Sequence, residues 1–167
     1  MPCKAAPQAS DLSAATLKLL RIIRSLNPSG GGPMEGVRQI TPHPAALGVT
    51  TTVASLDPPD APWLKDQPFQ AIGLGPVAAS YGYRRGLPAR IRALAQQHDA
   101  VIIHGTWQYH AYATWRALHG CGIPYFVYTH GMLDPWFKHT YPLKHLKKWA
   151  RRGLECGAVD ETGNSHF

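Results

Sequence analysis

Residues 123–129 read Ile-Pro-Tyr-Phe-Val-Tyr-Thr, and the run then breaks at His130-Gly131 and again at Asp134-Pro135. No other stretch restricts the fold as much. Pro124 stands where a strand tolerates proline, at its opening. Tyr125, Phe126, Val127, Tyr128 and Thr129 are all aromatic or β-branched, the types that suit a pleated, packed surface. The run reads as a buried strand. An apolar strand that ends in a histidine, a glycine and a carboxylate points to an α/β sheet, whose ligands sit beyond the carboxyl ends of its strands. Residues 130–138 are therefore expected to form one lip of a binding site, carrying His130, Asp134, Trp136 and Lys138.

The chain before this point alternates between two periodicities. Residues 16–26, Thr-Leu-Lys-Leu-Leu-Arg-Ile-Ile-Arg-Ser-Leu, carry apolar positions too densely for one-sided burial, which fits a strand covered on both faces. A short helix would give the same local pattern, but the flank Asn27-Pro28-Ser29-Gly30-Gly31-Gly32-Pro33 is a strong turn signal. Residues 36–47 read as helical through Val37, Ile40 and Leu47, with Gly48 as the stop. Pro42 and Pro44 conflict with a continuous helix, because proline loses a hydrogen bond and clashes one turn back. The helix is expected to break near Thr41 and restart at Pro42. Strands follow at 50–56 and 69–74, separated by a Pro-rich surface loop over 57–68. A helix is expected at 88–97, with Pro88 near its first turn. A buried strand at 100–103 stops at His104-Gly105, and a helix over 109–119 ends at Gly120 and Gly122. This alternation from Leu17 to Tyr128 predicts an α/β fold with a largely parallel sheet.

A chain of 167 residues can bury a real core, and one domain is the natural count. Seventeen Lys and Arg against ten Asp and Glu give a formal charge of +7, which favours anionic partners and says nothing of fold. Cys3, Cys121 and Cys156 are odd in number and form no Cys-x-x-Cys pair, as expected of reduced cytosolic thiols. No apolar run approaches the ~18 residues of a spanning helix, and no secretion signal is read at the N-terminus. A cytoplasmic location follows as the expectation. Residues 1–15 read as a flexible leader, 16–149 as the domain and 150–167 as an atypical polar tail. Residues 143–152 form a basic amphipathic helix in this reading. Its Lys144, Lys147, Lys148, Arg151 and Arg152, with Trp149, suit an anionic membrane surface and equally an ordinary solvated face. Nucleic acid is not expected, since no recognition motif accompanies the charge.

Gly30-Gly31-Gly32 lies between a strand and a helix start, where glycine lets a ligand approach the backbone and free N–H groups can meet a phosphate. No Gly-Lys-Ser/Thr follows, so it is not a P-loop, and a triple glycine alone also reads as a plain turn. His104-Gly105-Thr106-Trp107 and His130-Gly131 close two successive strands, which would place both imidazoles at one rim of the sheet. Histidine there can bond a sugar hydroxyl or share a proton. Trp107 and Trp136 suit stacking on the apolar face of a sugar ring, although aromatics are more often core. The nine histidines do not suggest a metal. From His104 to His145 no successive pair has the i, i+4 spacing of a helical zinc site, and no cysteine stands in register. Ala78-Ala79-Ser80-Tyr81-Gly82 approaches the Gly-x-Ser-x-Gly nucleophile elbow, with Asp99 or Asp134 and histidines following in hydrolase order. The elbow needs a tight turn straight from strand into helix, which Gly75-Pro76 and Gly86-Leu87-Pro88 interrupt. A serine hydrolase built on Ser80 and a non-catalytic binding domain are the alternatives.

The Asn27–Pro33 loop, His104-Gly105-Thr106-Trp107 and His130-Gly131-Met132-Leu133-Asp134-Pro135-Trp136 together resemble the N-terminal domain of family-4 glycosyltransferases. The resemblance covers residues 17–149. It implies a three-layer, Rossmann-like half of a GT-B fold, and an enzyme that moves a sugar, with retention, from a nucleotide-sugar donor to a saccharide or lipid-linked acceptor. No cofactor is implied, the nucleotide sugar being a substrate. By that resemblance Gly30, Gly31 and Gly32 sit near the donor phosphates, His104, Trp107, Trp136 and Lys138 serve the acceptor, and His130 and Asp134 are the catalytic candidates. The family's second domain, with its paired glutamates, has no counterpart in these residues. The reading therefore includes a truncated or frame-shifted chain, inactive alone.

Overall fold

The structure, a computed structural model, describes residues 16–77 and 81–132. Five strands, β1 (Leu17–Ile23), β2 (Val49–Ser55), β3 (Gln70–Gly73), β4 (Ala100–His104) and β5 (Tyr125–Tyr128), form one sheet in the order β3-β2-β1-β4-β5. Every pairing is parallel. Three α-helices lie between strands in sequence: α1 (Gly32–Ile40), α2 (Leu87–Ala95) and α3 (Tyr109–Leu118).

Alternation along the strands sorts the side chains into two layers, as a period of two requires. Leu20 and Ile22 of β1 join Val101 and Ile103 of β4 under Leu87 and Ile91 of α2 and Ala113 and Ala117 of α3. On the opposite face Ile23 and Val53 pack against Met34 and Val37 of α1, with Ala61 and Leu64. The fold is a three-layer, Rossmann-like α/β domain. Because β1 leads to β2 on one side and pairs with β4 on the other, the strand order reverses between β1 and β4, the place where such sheets open a crevice.

Several elements differ in extent from the sequence reading. The first strand ends at Ile23 rather than Leu26, although Leu26 stays fully buried. α1 begins at Gly32, four residues earlier than the periodicity placed it, because Pro33 fits the first helical turn. The break at Thr41 is found. Its hydroxyl donates to the Val37 carbonyl at 2.6 Å, a short 3-10 turn (His43–Leu47) follows, and Gly48 closes it with φ 74. The 57–68 segment is not wholly a surface loop: it contains a 3-10 turn (Pro62–Leu64), and Ala61 and Leu64 are buried. The Tyr125–Tyr128 strand is not buried on both faces. Among the described residues it is an edge of the sheet, with Phe126 and Tyr128 each about two-fifths exposed. The residue types of a covered strand and of an edge strand overlap, so composition alone misjudged it. The expected leader, the basic helix over 143–152 and the tail over 150–167 lie outside the described residues.

A buried carboxylate holds the loop after β1. Asp57, 5 % exposed, accepts from the Ser25 hydroxyl at 2.6 Å, the Leu26 N–H at 2.7 Å and the Ser55 hydroxyl at 2.8 Å. It thereby fastens the chain leaving β1 to the chain leaving β2. Asp57→Ala is expected to cost about 2 kcal/mol, since hydrogen bonds to a charged group are worth more than neutral ones and the buried donors would lose their acceptor. Chemical denaturation of wild type and variant checks this, and an unchanged midpoint would contradict it.

Candidate functional site

The loop after β1 is built locally. Asn27 accepts from the Ser29 backbone N–H and hydroxyl, both at 2.9 Å, an Asx turn of the kind asparagine favours. It sets up the short turn Pro28–Gly30. Gly31 then takes φ 78 as the N-cap of α1, a conformation that costs a side-chain-bearing residue and costs glycine little. This delivers the N-terminus of α1 to the carboxyl rim of the sheet. Pro33 has no N–H, so Gly32 and Met34 carry the donors of that first turn.

The loops after β4 and β5 meet beside it. In the register of the two strands His104 lies opposite Tyr128, and Gly105 N–H donates to the Tyr128 carbonyl at 2.8 Å. The chain then turns back through two consecutive left-handed residues, His130 at φ 51 and Gly131 at φ 72, closed by Met132 N–H on the Thr129 carbonyl at 3.0 Å. A left-handed conformation at a histidine costs about 1–2 kcal/mol, and here it carries the His130 ring over His104. His104 Nδ1 and His130 Nε2 stand 2.9 Å apart. Tyr128 packs edge-on against His130, ring centroids 4.5 Å apart. On its other side His104 Nε2 lies 3.2 Å from Nη1 of Arg21, a residue of β1. The His104 carbonyl accepts from His110 Nε2 of α3 at 2.8 Å.

His104 is 4 % exposed. Burial first, then the Arg21 guanidinium and the His130 and His110 rings, hold its pKa far below the ordinary histidine value, at about 2. The ring is neutral. Burial also lowers the pKa of Arg21, which is 6 % exposed and whose Nε has no hydrogen-bond partner. Among the described residues no carboxylate pairs with it.

An open cleft of about 360 Å³ lies at this rim, lined by Gly32, Pro33, Tyr128, His130 and Gly131. The structure thus brings together the end of the glycine loop and the His-Gly after β5, and it joins His130 to His104 by a direct bond. Gly30 and Gly31 shape the approach but are not among the lining residues. Trp107, half-buried in the loop after β4, is not among them either. That loop touches its neighbour through the Thr106 hydroxyl, 3.9 Å from Met132 Sδ. Asp134, Trp136 and Lys138 lie outside the described residues, and so does Ser80. Among the described residues β3 ends at Gly73 and the next helix starts at Leu87. Arg21, Pro33 and Tyr128 escaped the sequence reading. For Arg21 there was a signal: a cation set between Leu20 and Ile22 in the buried half of a largely apolar strand. Lys and Arg are almost never fully buried unless paired.

Among the described residues no helix is long and apolar enough to cross a membrane. They contain no disulfide; Cys121 is buried, with its thiol 3.4 Å from the Ala117 carbonyl. No match was found among curated proteins. Residues 30–161, well over half of the chain, match the model of a family described as Glycosyltransferase Family 4. That span takes in the glycine loop, α1, the histidine pair and the cleft, and with the parallel Rossmann-like sheet it makes this chain a member of Glycosyltransferase Family 4, containing the N-terminal domain of such an enzyme.

Proposed function

We propose that the cleft between the start of α1 and the end of β5 is one wall of a sugar-transfer site. The observation that carries this is the meeting of Gly32 and His130 in a single cleft. Two loops of different chemistry, one offering helix N-terminal N–H groups and one offering an imidazole, converge where an α/β sheet receives ligands. In this reading Gly30, Gly31 and Gly32 approach the diphosphate of a nucleotide-sugar donor. His104, Trp107, Trp136 and Lys138 serve a saccharide or lipid-linked acceptor, and His130 and Asp134 stand nearest the reacting centre. Transfer proceeds with retention. The basic residues Lys144, Lys147, Lys148, Arg151 and Arg152 would bring the protein to an anionic membrane surface from the cytoplasmic side.

Transfer needs donor and acceptor held in attack geometry, worth as much as ~7–11 kcal/mol of the barrier, together with charge stabilisation at the departing diphosphate. One wall with a few N–H donors and two imidazoles supplies little of that. A polypeptide of residues 1–167 is therefore expected to bind nucleotide sugars weakly and to show no measurable transfer. The test is a panel of nucleotide sugars titrated against the purified polypeptide, with spectral shifts followed at Gly32, His130 and Gly131 and turnover assayed in parallel. Shifts confined to these residues, lost in His130→Ala, would support the reading. Robust turnover by the monomer, or saturable binding elsewhere, would overturn it.

A further inference from the structure

We propose that Arg21 is a positioning residue that sets the tautomers of the histidine pair, so that His130 meets a ligand as a neutral hydrogen-bond donor and not as a base. The functional half of this statement rests on the cleft assignment above; the tautomers rest on geometry alone. A guanidinium has donors only. His104 Nε2, 3.2 Å from Arg21 Nη1, must therefore accept, and the proton of the neutral His104 ring sits on Nδ1. That N–H is directed along the 2.9 Å contact to His130 Nε2, which must accept in turn. The proton of neutral His130 is then left on Nδ1. A second proton on His130 would have to enter at Nε2, where it would face the His104 N–H donor to donor. No proton moves in this arrangement. The charge of Arg21 is converted, through one imidazole, into a fixed donor and acceptor pattern on the next.

Among the described residues, groups from three other elements reach the pair. Arg21 reaches it from β1, Tyr128 stands beside both rings from β5, and His110 of α3 donates from Nε2 to the His104 carbonyl. His104 itself extends from the end of β4. Of these, Arg21 alone is a fixed donor at His104 Nε2, so removing it frees that nitrogen to take the proton. A role confined to filling space would leave the tautomers untouched.

The experiment reads the ring nitrogens of isotope-labelled histidine in the whole chain, wild type against Arg21→Met and Arg21→Lys. In wild type both His104 and His130 should carry their proton on Nδ1, and His130 should resist a second proton more than it does in Arg21→Met. Arg21→Met should give mixed tautomers at His104 and let His130 take up a proton more readily than in wild type. Lysine is also a donor-only cation, so Arg21→Lys should restore the wild-type pattern. A wild-type His130 protonated at Nε2 overturns the proposal, as does a folded Arg21→Met protein with unchanged tautomers. Should Arg21→Met fail to fold, Arg21→Gln, whose amide can accept as well as donate, takes its place and is read the same way. Nucleotide-sugar titration of the same samples separates the two ideas. Tautomers as expected with no shift at His130 would remove the cleft assignment, and with it the ligand role, while the wiring from Arg21 would stand.

Discussion

Lowering the pH from about 6.5 to about 4.5 is expected to remove roughly 2–3 kcal/mol of folding stability through His104 alone. In the folded protein its pKa lies at about 2, against ~6.5 in an unfolded chain. Between these values the unfolded chain binds a proton that the folded protein refuses. The contribution is thus complete above ~6.5 and declines as pH falls, by up to ~1.4 kcal/mol per unit. The cause is structural: protonated His104 would be a buried cation beside Arg21, with a donor pointed at another donor. His104→Gln keeps one acceptor and one donor without a titrating nitrogen. Urea midpoints of the two proteins at both pH values isolate the effect, because other groups cancel in the comparison. Equal pH slopes would show that His104 accepts its proton freely.

Gly73→Ala and Gly75→Ala should each cost about 3 kcal/mol or more, at the upper end of what overpacking imposes. β3 and the strand-end segment after β2 touch backbone to backbone. A Cβ at residue 73 would lie 2.7 Å from both the Pro58 carbonyl oxygen and the Pro59 Cα, and 2.8 Å from the Asp57 oxygen. At residue 75 it would overlap the Leu56 carbonyl oxygen. None of these is a side chain that can rotate away, and Leu74 N–H on Ser55 O at 2.7 Å with Gly75 N–H on Asp57 O at 2.8 Å pins the two segments together. Gly36 is the control. It lies inside α1, and a methyl group added there would meet nothing within 4 Å, so Gly36→Ala should gain about 0.5–1 kcal/mol. Denaturation midpoints should separate the pair from the control in opposite directions. A Gly73→Ala protein as stable as wild type would mean that the 57–59 segment can retreat.

The layered fold was legible because hydrophobic period and turn chemistry agree along the chain. Asn27 to Pro33 interrupts a dense apolar run, Pro42 breaks α1, and Gly48 and Gly86 take left-handed conformations at element ends. The pairing of His104 with His130 was also legible, since two successive strands both end in His-Gly. What sequence could not supply is strand order. Gly32 follows β1 and His130 follows β5, and they share a cleft because β4 alone lies between those strands. No local pattern encodes that adjacency. Arg21 was hidden for a related reason. Its partner is eighty-three residues away, and a cation in a strand carries no mark of what it faces. The exposed side of Tyr128 belongs to the same class: whether a strand is central or an edge is decided by its neighbours, not by its own residues.

The uniform polarity of the sheet has a practical consequence. With every strand running the same way, the cleft and the histidine pair occupy one rim, and the chain entering β5 occupies the other. His119, Gly120 and Gly122 are exposed there, and Gly120 and Gly122 hold left-handed turns at φ 72 and 68. At ~3.3 Å per extended residue, a label at 119–120 sits on the order of 20 Å from His130. A dye or tether attached at that turn leaves the opposite rim open, so the protein can be anchored to a surface by one end of its strands and probed with sugars at the other.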